Sequence, residues 1–380
     1  MKKYLLSPPH MSGEEQIYIE QAFKDNWIAP LGPNVVEFEK KIAEYNGVED
    51  CLVTSSGTSA IHLALRLLGV THGDTVFCST FTFIASINPA IYLGAKPVFI
   101  DSDYETWGMC PKSLEKALQA AKNNGKLPKV IIVVHLYGQS AQIEDIISIA
   151  SKYGIPVIED AAEALGAEYN GKKLGTFGEF GIFSFNGNKI ITTSGGGALI
   201  GKSKSAIQRA RFLSSQAKED KPYYYHKEIG YNYRLSNVLA GIGIAQMNVL
   251  DQRIAKKRDI FSTYKTYLGA ITDISFMPEN IRSYGNRWLT TLLFSKEIKD
   301  SSICILNERG IETRRLWKPL HTQPIFKNCQ FYSATGDVSS ILYKHGMCLP
   351  SGTMLTNEDI SIIAREVMNC NVFFNRSVSK

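Results

Sequence analysis

The stretch "VIIVVHLYGQSAQIEDIISIASKYGIPVIED", residues 130–160, contains two apolar runs on either side of an amphipathic segment. The runs at 130–138 and 155–160 are rich in branched side chains, which favour strands, and the segment between them has apolar residues at helical spacing. Strands that are apolar along their whole length are buried on both faces, as in mostly parallel sheets covered by helices. The stretch therefore predicts an α/β fold of the doubly wound kind.

The same alternation of strands and helices extends from about residue 50 to residue 200. Strands are predicted at 51–55, 75–80 and 96–101, and helices at 59–69 and 82–94. Beyond residue 235 the sequence predicts one long helix, capped at its start by Ser236. Such a helix commonly leads from one domain into the next, so we predict a large domain at 1–248 and a smaller C-terminal α/β domain at 249–380.

Composition excludes several classes of protein. The chain has 380 residues, of which 44% are hydrophobic and 21% charged, and its net charge of +6 is dispersed rather than clustered as in nucleic-acid-binding proteins. Its seven cysteines form no CxxC pair, so no metal site is expected. No apolar run could span a bilayer, and the first residues lack a signal-peptide pattern. We therefore expect a cytoplasmic protein that binds neither nucleic acid nor membrane.

The segment "TSSGTSAIHLAL", residues 54–65, predicts a strand, a turn and the start of a helix. The N–H groups of a first helical turn lack partners within the helix and point towards the turn, which makes an anion site. Gly57, Thr58 and Ser59 are the candidates for binding a phosphate there. The alternative is a capping loop without a ligand. A Walker loop is excluded because GxxxxGK[ST] does not occur.

Asp160 ends the apolar run in "IPVIEDAAEALG", residues 155–166. Ligands of open α/β sheets bind beyond the carboxyl ends of the strands, and a carboxylate there needs a cation or hydrogen-bond donors. A protonated pyridine nitrogen, as in pyridoxal phosphate, would be a suitable partner. The alternative is that Asp160 only caps a following helix.

Lys189 and three glycines share the stretch "FSFNGNKIITTSGGGALI", residues 183–200. The glycines at 195–197 precede a predicted strand and follow no GxGxxG register, which disfavours a dinucleotide fingerprint. Small residues there let the backbone pass close to a bulky group. Lys189, in a loop between strands, could form a Schiff base with an aldehyde where desolvation favours its neutral amine. The alternative is a lysine that faces solvent.

Four segments in order resemble the pyridoxal-phosphate-dependent nucleotide-sugar aminotransferases of the DegT/DnrJ/EryC1/StrS family. They are "SSGTSA" (55–60), "TFTFIAS" (80–86), "VIEDAAEALGAEYNGKKLGTFGEFGIFSFNGNKIITTSGGGAL" (157–199) and "GYNYRLSNVLAGIG" (230–243). The similarity runs from about residue 12 to residue 350. It implies a fold-type I transferase that binds pyridoxal 5'-phosphate in its large domain, and a homodimer with shared active sites.

The resemblance also implies a role for individual residues. Lys189 resembles the lysine that binds the cofactor aldehyde, and Asp160 resembles the partner of the pyridine nitrogen. Glu163 matches a position near the cofactor's phenolic oxygen, and Phe83 matches the aromatic side chain stacked on the ring. The implied phosphate ligands are Thr58, Ser59 and Ser184, with Asn232 donated by the neighbouring subunit.

Two further segments, "DNWIAPLGPNVVEFE" (25–39) and "RRLWKPLHTQPIF" (314–326), resemble the branch that aminates UDP-linked 4-keto-6-deoxy-N-acetylhexosamines in the bacillosamine route. L-glutamate is the implied amino donor. The candidates for the sugar-nucleotide pocket are Trp27, Pro30, Asn186, Trp317, Lys318 and His321. The structural alternatives are a rigid turn at 27–33 and a packed His321. Similar loops also occur in relatives that use other sugars, so an aminotransferase acting on a TDP- or GDP-linked keto sugar is the alternative function.

Three other functions make predictions that differ from this interpretation. Sugar 3-dehydratases share the fold but carry histidine where this chain has Lys189. A non-catalytic protein that kept the fold would show no cofactor absorbance in the visible range. A nicotinamide oxidoreductase would need GxGxxG after an early strand, and the sequence contains none there.

Overall fold

The computed structural model describes residues 2–370. Its helices are α1 (Glu15–Lys24), α2 (Pro33–Asn46), α3 (Gly57–Leu67), α4 (Asn88–Tyr92), α5 (Pro111–Asn123), α6 (Ile143–Lys152), α7 (Lys204–Ser214), α8 (Asn237–Met247), α9 (Leu250–Leu268), α10 (Asp300–Glu308), α11 (Val338–His345) and α12 (Asn357–Asn369). Its strands are β1 (Cys51–Thr54), β2 (Thr75–Ser79), β3 (Lys96–Ile100), β4 (Val130–Val134), β5 (Val157–Asp160), β6 (Glu168–Tyr169), β7 (Lys172–Lys173), β8 (Phe180–Ser184), β9 (Gly197–Gly201), β10 (Ile274–Phe276), β11 (Ser283–Tyr284), β12 (Thr290–Phe294), β13 (Arg314–Arg315), β14 (Gln330–Tyr332) and β15 (Gly346–Leu349).

An eight-stranded sheet forms the centre of the molecule, in the order β1–β9–β8–β5–β4–β2–β3–β14. All pairs from β8 to β14 are parallel, whereas β9 runs antiparallel to both β8 and β1. In β4, Ile131 and Val133 pack into one apolar cluster and Val130 and Ile132 into another. Because a strand's side chains alternate between faces, this arrangement explains the unbroken apolar run. The predicted α/β class with a mostly parallel sheet is confirmed.

Two predicted helices are interrupted in the structure. The helix expected over 82–94 is a 3₁₀ turn at Ile84–Ser86 followed by the short α4. Pro89 lies in the first turn of α4, where its missing N–H is tolerated but would break a longer helix. The long helix expected after Ser236 is divided into α8 and α9. Ser236 does cap α8, since its hydroxyl accepts the Leu239 amide at 3.3 Å.

A second, four-stranded antiparallel sheet in the order β10–β12–β15–β13 packs against α9 and α12. The C-terminal part of the chain also contributes β14 to the large sheet and β11 to a small sheet with β6 and β7. The domain division at 248/249 therefore stays a prediction, and its ranges include residue 1 and residues 371–380, outside the described part. No helix within residues 2–370 is both long and apolar enough to cross a bilayer.

Candidate active site

A cavity of about 580 Å³ opens at the carboxyl-terminal ends of β4, β5 and β8, beside the start of α3. This is the edge of a parallel sheet at which ligands of α/β proteins bind. The predicted residues that line the cavity are Gly57, Thr58, Phe83, Asp160, Glu163, Ser184, Asn186, Lys189 and Trp317. The structure thus brings together residues that are up to 260 positions apart in the chain (317 − 57).

Asp160 places its carboxylate at the floor of the cavity with only 5% of the residue exposed. Ser86 Oγ donates to Oδ2 at 2.7 Å, and the Ala162 amide donates to Oδ1 at 3.1 Å. Residues 161–167 form turns, so Asp160 caps no helix. A buried carboxylate with two hydrogen-bond donors can also pair with a cationic group of a ligand in the cavity.

Lys189 lies in the loop between β8 and β9, and its amine is directed into the cavity. Its Nζ lies 3.6 Å from Glu163 Oε1 and 4.3 Å from the centre of the Trp288 ring. Only 13% of the Lys189 side chain is exposed. The alternative of a lysine that faces solvent is therefore wrong. A carboxylate and an indole face hold the amine at a fixed position.

Glu163 is buried beside this amine, and its second carboxylate oxygen accepts the Tyr137 amide at 2.7 Å. Burial raises the pKa of Glu163 above its ordinary value, although the neighbouring Lys189 charge and the Tyr137 hydrogen bond oppose that rise. Tyr137 has a left-handed backbone with φ of 50°, which is uncommon for a residue with a Cβ. The strained turn aims the Tyr137 amide at Glu163.

The start of α3 also lines the cavity. Ser56 caps this helix, since its hydroxyl accepts the Ser59 amide at 3.0 Å, and Gly57 and Thr58 line the cavity. Ser59 instead bonds to the hydroxyls of Ser55 and Ser56 and is absent from the lining. The first-turn N–H groups, with the nearby hydroxyls of Thr58 and Ser184, are suited to an anion such as phosphate.

Gly197 explains part of the glycine run. A Cβ added at this position would lie 2.4 Å from the Gly57 backbone nitrogen, well inside van der Waals contact. Glycine therefore lets β9 pass directly beside the first turn of α3. Gly195 and Gly196 line the cavity itself. The run thus brings the backbone close to another chain segment and leaves room for a ligand, as the sequence predicted.

Only some of the predicted substrate residues line the cavity. Asn186 and Trp317 line the cavity, whereas Lys318 is exposed and lies outside the lining. His321 packs between elements: its ring stacks on Phe331 with centroids 3.8 Å apart. Its Nδ1 lies 2.7 Å from Thr80 Oγ1 and its Nε2 lies 3.2 Å from Asp337 Oδ2. Within one chain, the contacts of His321 are those of a packed histidine.

Three other predicted residues lie outside the cavity of their own chain. Trp27 and Pro30 belong to an exposed loop between α1 and α2, which Asn237 fastens to the start of α8 through a 2.9 Å bond to the Trp27 carbonyl. Asn232 is exposed and forms a bridge with Ser215. None of the three lines the Lys189 cavity.

Several lining residues were not identified from the sequence. Ser86, Asn188, Trp288 and Arg314 line the Lys189 cavity, and all but Ser86 also line a second cavity of about 190 Å³ next to it. Ser86 lies within the segment "TFTFIAS", where its spacing of four from Thr82 was the only available signal. Trp288 comes from the C-terminal part of the chain and carries no local pattern. Arg314 begins the quoted segment 314–326 but was not singled out in it.

The residues present fit pyridoxal 5'-phosphate. The cofactor has a ring nitrogen, an aldehyde and a phosphate, and the cavity offers a partner for each. Asp160 provides a buried carboxylate, Lys189 a shielded amine, and the start of α3 an anion site. Phe83 adds a half-exposed aromatic ring at the cavity wall.

Comparison with known proteins agrees with this fit. The model of the DegT/DnrJ/EryC1/StrS aminotransferase family matches residues 9–368. EpsN of Bacillus subtilis (strain 168), whose name describes a pyridoxal phosphate-dependent aminotransferase, is 58% identical over 361 residues, covering 94% of this chain and 93% of EpsN. A GDP-perosamine synthase of Escherichia coli O157:H7 is 35% identical and covers 97% of this chain and 98% of its own length.

A solved structure shares the architecture. The crystal structure of a DegT DnrJ EryC1 StrS aminotransferase from Brucella abortus superposes with a TM-score of 0.87 at 29% identity. The superposition covers 94% of this chain and 95% of the Brucella chain. The expected fold is therefore found along nearly the whole length of the protein.

Proposed function

The chain belongs to the DegT/DnrJ/EryC1/StrS aminotransferase family, and on that premise we propose that it aminates C4 of a UDP-linked 4-keto-6-deoxy-N-acetylhexosamine. Family membership makes it a pyridoxal-phosphate-dependent sugar aminotransferase. The proposed amino donor is L-glutamate, and the proposed product is a 4-amino sugar for bacterial glycan biosynthesis. The scattered cysteines without a CxxC pair support a cytoplasmic location.

Lys189 and Asp160 have the central roles in this proposal. When bound, pyridoxal phosphate supplies an aldehyde that carries the amino group and a ring that spreads negative charge. Lys189 Nζ would hold the cofactor through its aldehyde, and the same amine, when free, would act as general base at the donor's Cα. The Asp160 carboxylate, held by Ser86 and the Ala162 amide, would pair with the ring nitrogen and keep it protonated.

Glu163 and the aromatic side chains support Lys189. Glu163 Oε1 lies 3.6 Å from Lys189 Nζ, so its carboxylate stabilises the ammonium that forms when the amine takes a proton. Trp288 and Tyr137 are each 2% exposed or less, and together they shield that side of the cavity from water. The start of α3 orients the cofactor by its phosphate, through the Gly57 amide and the Thr58 hydroxyl.

One observation carries the substrate proposal. Asn186 and Trp317, two residues assigned to the sugar nucleotide from the sequence, line the same cavity as Lys189. Trp317 belongs to the segment that resembles enzymes acting on UDP-linked 4-keto sugars. The presence of Lys189 in the cavity also disfavours a 3-dehydratase, which would carry histidine at that position.

A GDP-linked 4-keto sugar is the second candidate. It is favoured by the 35% identity to a GDP-perosamine synthase over nearly the whole chain. The two candidates differ in the nucleobase and in the sugar, which carries an N-acetyl group only in the UDP-linked candidate. They are therefore best separated by offering the enzyme both sugars.

The experiment supplies purified protein and L-glutamate with either UDP-4-keto-6-deoxy-N-acetylglucosamine or GDP-4-keto-6-deoxymannose. We expect a 4-amino product from the UDP sugar, identified by mass and NMR, and no product from the Lys189→Ala variant. Amination of the GDP sugar alone would replace the first candidate with the second. Failure with both would contradict the proposed substrate class.

We further propose a homodimer in which each subunit completes its neighbour's site. Asn232, Trp27 and Pro30 lie outside the cavity of their own chain yet match residues expected at the cofactor or the sugar nucleotide. Trp27 is 42% exposed, and Ile28 and Leu31 beside it are 53% and 54% exposed. Apolar side chains exposed together are typical of a surface that another subunit covers.

Mixing two damaged chains tests this arrangement. In a dimer of Lys189→Ala with Asn232→Ala chains, one site has both native residues if Asn232 crosses the interface. Random mixing should then give about a quarter of wild-type activity, since about half of the dimers are mixed. A mixture of Lys189→Ala with Asp160→Asn is the control, because both positions belong to one chain's cavity. Recovery in the control alone, or in neither mixture, would contradict shared sites.

A further inference from the structure

Lys257 is a buried lysine that the proposed mechanism does not use. It lies in α9, and only 3% of the residue is exposed. Its Nζ donates to the Trp288 carbonyl at 2.8 Å and to Ser7 Oγ at 3.2 Å. Within residues 2–370, no carboxylate lies within ion-pair distance of this amine. Burial lowers the pKa of Lys257 from 10.5 to about 7.

The bonds of Lys257 continue to the residue before Lys189. Ser7 Oγ accepts the bond from Lys257 and donates to the Asn188 carbonyl at 2.8 Å. The Trp288 indole N–H donates to the same carbonyl at 2.7 Å. The Asn188 carbonyl thus accepts two hydrogen bonds, and both donors are also bonded to Lys257, one through its hydroxyl and the other through its backbone.

The N-terminal segment, residues 4–9, contains Ser7 and is hydrogen-bonded to the C-terminal part of the chain. Tyr4 forms an isolated bridge with Ile311: its amide donates to the Gly310 carbonyl at 2.8 Å, and its carbonyl accepts the Glu312 amide at 2.9 Å. The Leu6 carbonyl accepts the Ser351 amide at 2.7 Å. Ser7 therefore approaches the Lys189 loop from a segment held against the second sheet, rather than from a loose terminus.

We propose that Lys257 and Ser7 are positioning residues for Lys189. They fix the Asn188 carbonyl and the Trp288 indole, and through these two groups they set the direction and surroundings of the Lys189 amine. Neither residue lines the Lys189 cavity, so neither contacts the reacting atoms. The inference rests on the proposed role of Lys189.

The position of the Lys189 amine matters because the rate of a reaction depends strongly on the placement of the reacting groups. Trp288 faces Lys189 Nζ at 4.3 Å, and the Asn188 carbonyl belongs to the peptide group that precedes Lys189. A displacement of about 1 Å at a reacting group can lower the rate about 100-fold. A purely structural link between the two sheets would stabilise the fold without this effect on the amine.

The variants Ser7→Ala and Lys257→Met test the proposal in the full-length holoenzyme. Ser7→Ala removes the bond to Asn188, while Ser7→Thr keeps the hydroxyl and serves as the conservative rescue. Ser113→Ala is the matched control, because Ser113 is buried and its hydroxyl accepts one amide, from Ala334 at 3.0 Å, outside the cavity lining. Lys265→Met controls for loss of a lysine from α9.

Three measurements distinguish a positioning role of Ser7 and Lys257 from a role in stability alone. We expect Ser7→Ala to lower kcat about 10- to 100-fold with KM for the sugar within about 3-fold, and Ser7→Thr to restore most of the rate. The pH midpoint of the visible absorbance of the holoprotein should shift by about half a unit or more in Ser7→Ala. In the apoprotein, amide exchange of peptides covering 186–190 should become faster, and Ser113→Ala should leave it unchanged.

The proposal is overturned if Ser7→Ala lowers only the melting temperature and leaves kcat, the absorbance midpoint and the exchange at 186–190 as in wild type. If Lys257→Met fails to fold, the comparison of Ser7→Ala with Ser7→Thr still tests the proposal. The absorbance and exchange readouts need no sugar. A wild-type enzyme that aminates no offered sugar would therefore contradict the proposed function without deciding the role of Ser7.

Discussion

Asp160 and Arg314 line the same cavity, but they are positioned there by different parts of the fold. Asp160 ends a central strand, and its neighbours in the site follow other strands of the same sheet. Arg314 begins the short strand β13 of the second sheet and faces the cavity beside Trp317 and Trp288. The first group, with Lys189 and the start of α3, is the cofactor side of the cavity. Arg314, Trp317 and Trp288 come from the C-terminal part of the chain and form what we call the C-terminal wall, in which Trp288 also faces Lys189.

The two sides are also stabilised differently. On the cofactor side, charged groups are paired or hydrogen-bonded: Asp160 with Ser86, and Lys189 with Glu163. The C-terminal wall depends on contacts between distant segments, such as the hydrogen bonds that Lys257 donates to Ser7 and to the Trp288 carbonyl. We therefore expect substitutions of Asp160 and Lys189 to act directly on the chemistry, and substitution of Trp317 to act on substrate affinity. Ser7 and Lys257 act on the chemistry only through the placement of Lys189.

The largest expected effect belongs to Lys189. Replacing it with alanine should lower kcat at least about 10⁴-fold, since the variant lacks both the amine that binds the aldehyde and the general base. Steady-state assays of product formation measure this loss. Lys318→Ala, an exposed lysine outside the lining, should stay within about 10-fold of wild type. Comparable losses in both variants would contradict a specific role for Lys189.

Asp160→Asn is expected to have the next largest effect. The amide can still accept a hydrogen bond from Ser86, but it cannot offset the charge of a protonated ring nitrogen, so kcat should fall about 10²- to 10³-fold. Asp145→Asn, on the exposed face of α6, is the control. A variant with native kcat would show that Asp160 has only a structural role.

Asp160 could be placed at a ligand from its position at the end of an apolar strand, because ligands of open α/β sheets bind at that edge. The roles of Lys189, Glu163 and Phe83 came from the resemblance to the family. Trp288 and Ser7 were missed, because their hydrogen bonds to the Asn188 carbonyl join residues 100 and 181 positions apart. His321 shows the same limit: a local pattern does not reveal that its ring stacks on Phe331.

The fold itself was predictable to a similar degree. The apolar runs of β4 and β5 identified the parallel sheet, since each side chain alternates between two buried faces. The addition of β14 to that sheet was not anticipated, because Gln330–Tyr332 is a three-residue strand without a distinctive pattern. Its pairing with β3 depends on the position of the whole C-terminal part.

The pH dependence of the free energy of unfolding tests the buried state of Lys257, which supports the C-terminal wall. Its pKa is about 7 in the folded protein and 10.5 in the unfolded chain, so between these values the unfolded state holds one more proton. The wild-type stability relative to Lys257→Met should therefore be lowest below pH 7 and rise by about 2 kcal/mol between pH 7 and pH 9. Urea unfolding of both apoproteins at several pH values measures this difference in the free energy of unfolding. A difference that does not change with pH would show that Lys257 keeps its proton.

The smallest expected effects separate Trp317 from His321. Trp317→Ala removes an indole from the cavity wall and should raise KM for the sugar nucleotide about 10-fold. His321→Ala should leave that KM nearly unchanged and lower the free energy of unfolding by about 1–2 kcal/mol, because its stacking and hydrogen bonds are lost. The opposite pattern would place His321 at the substrate and Trp317 in the packing.

The most direct test asks which side chain holds the cofactor. The protein is saturated with pyridoxal 5'-phosphate, reduced with borohydride, digested and analysed by mass spectrometry. A pyridoxyl group on the peptide containing Lys189, absent after Lys189→Ala, is the predicted result. A label on any other lysine, or no label on the reduced wild-type protein, would contradict the assignment of Lys189.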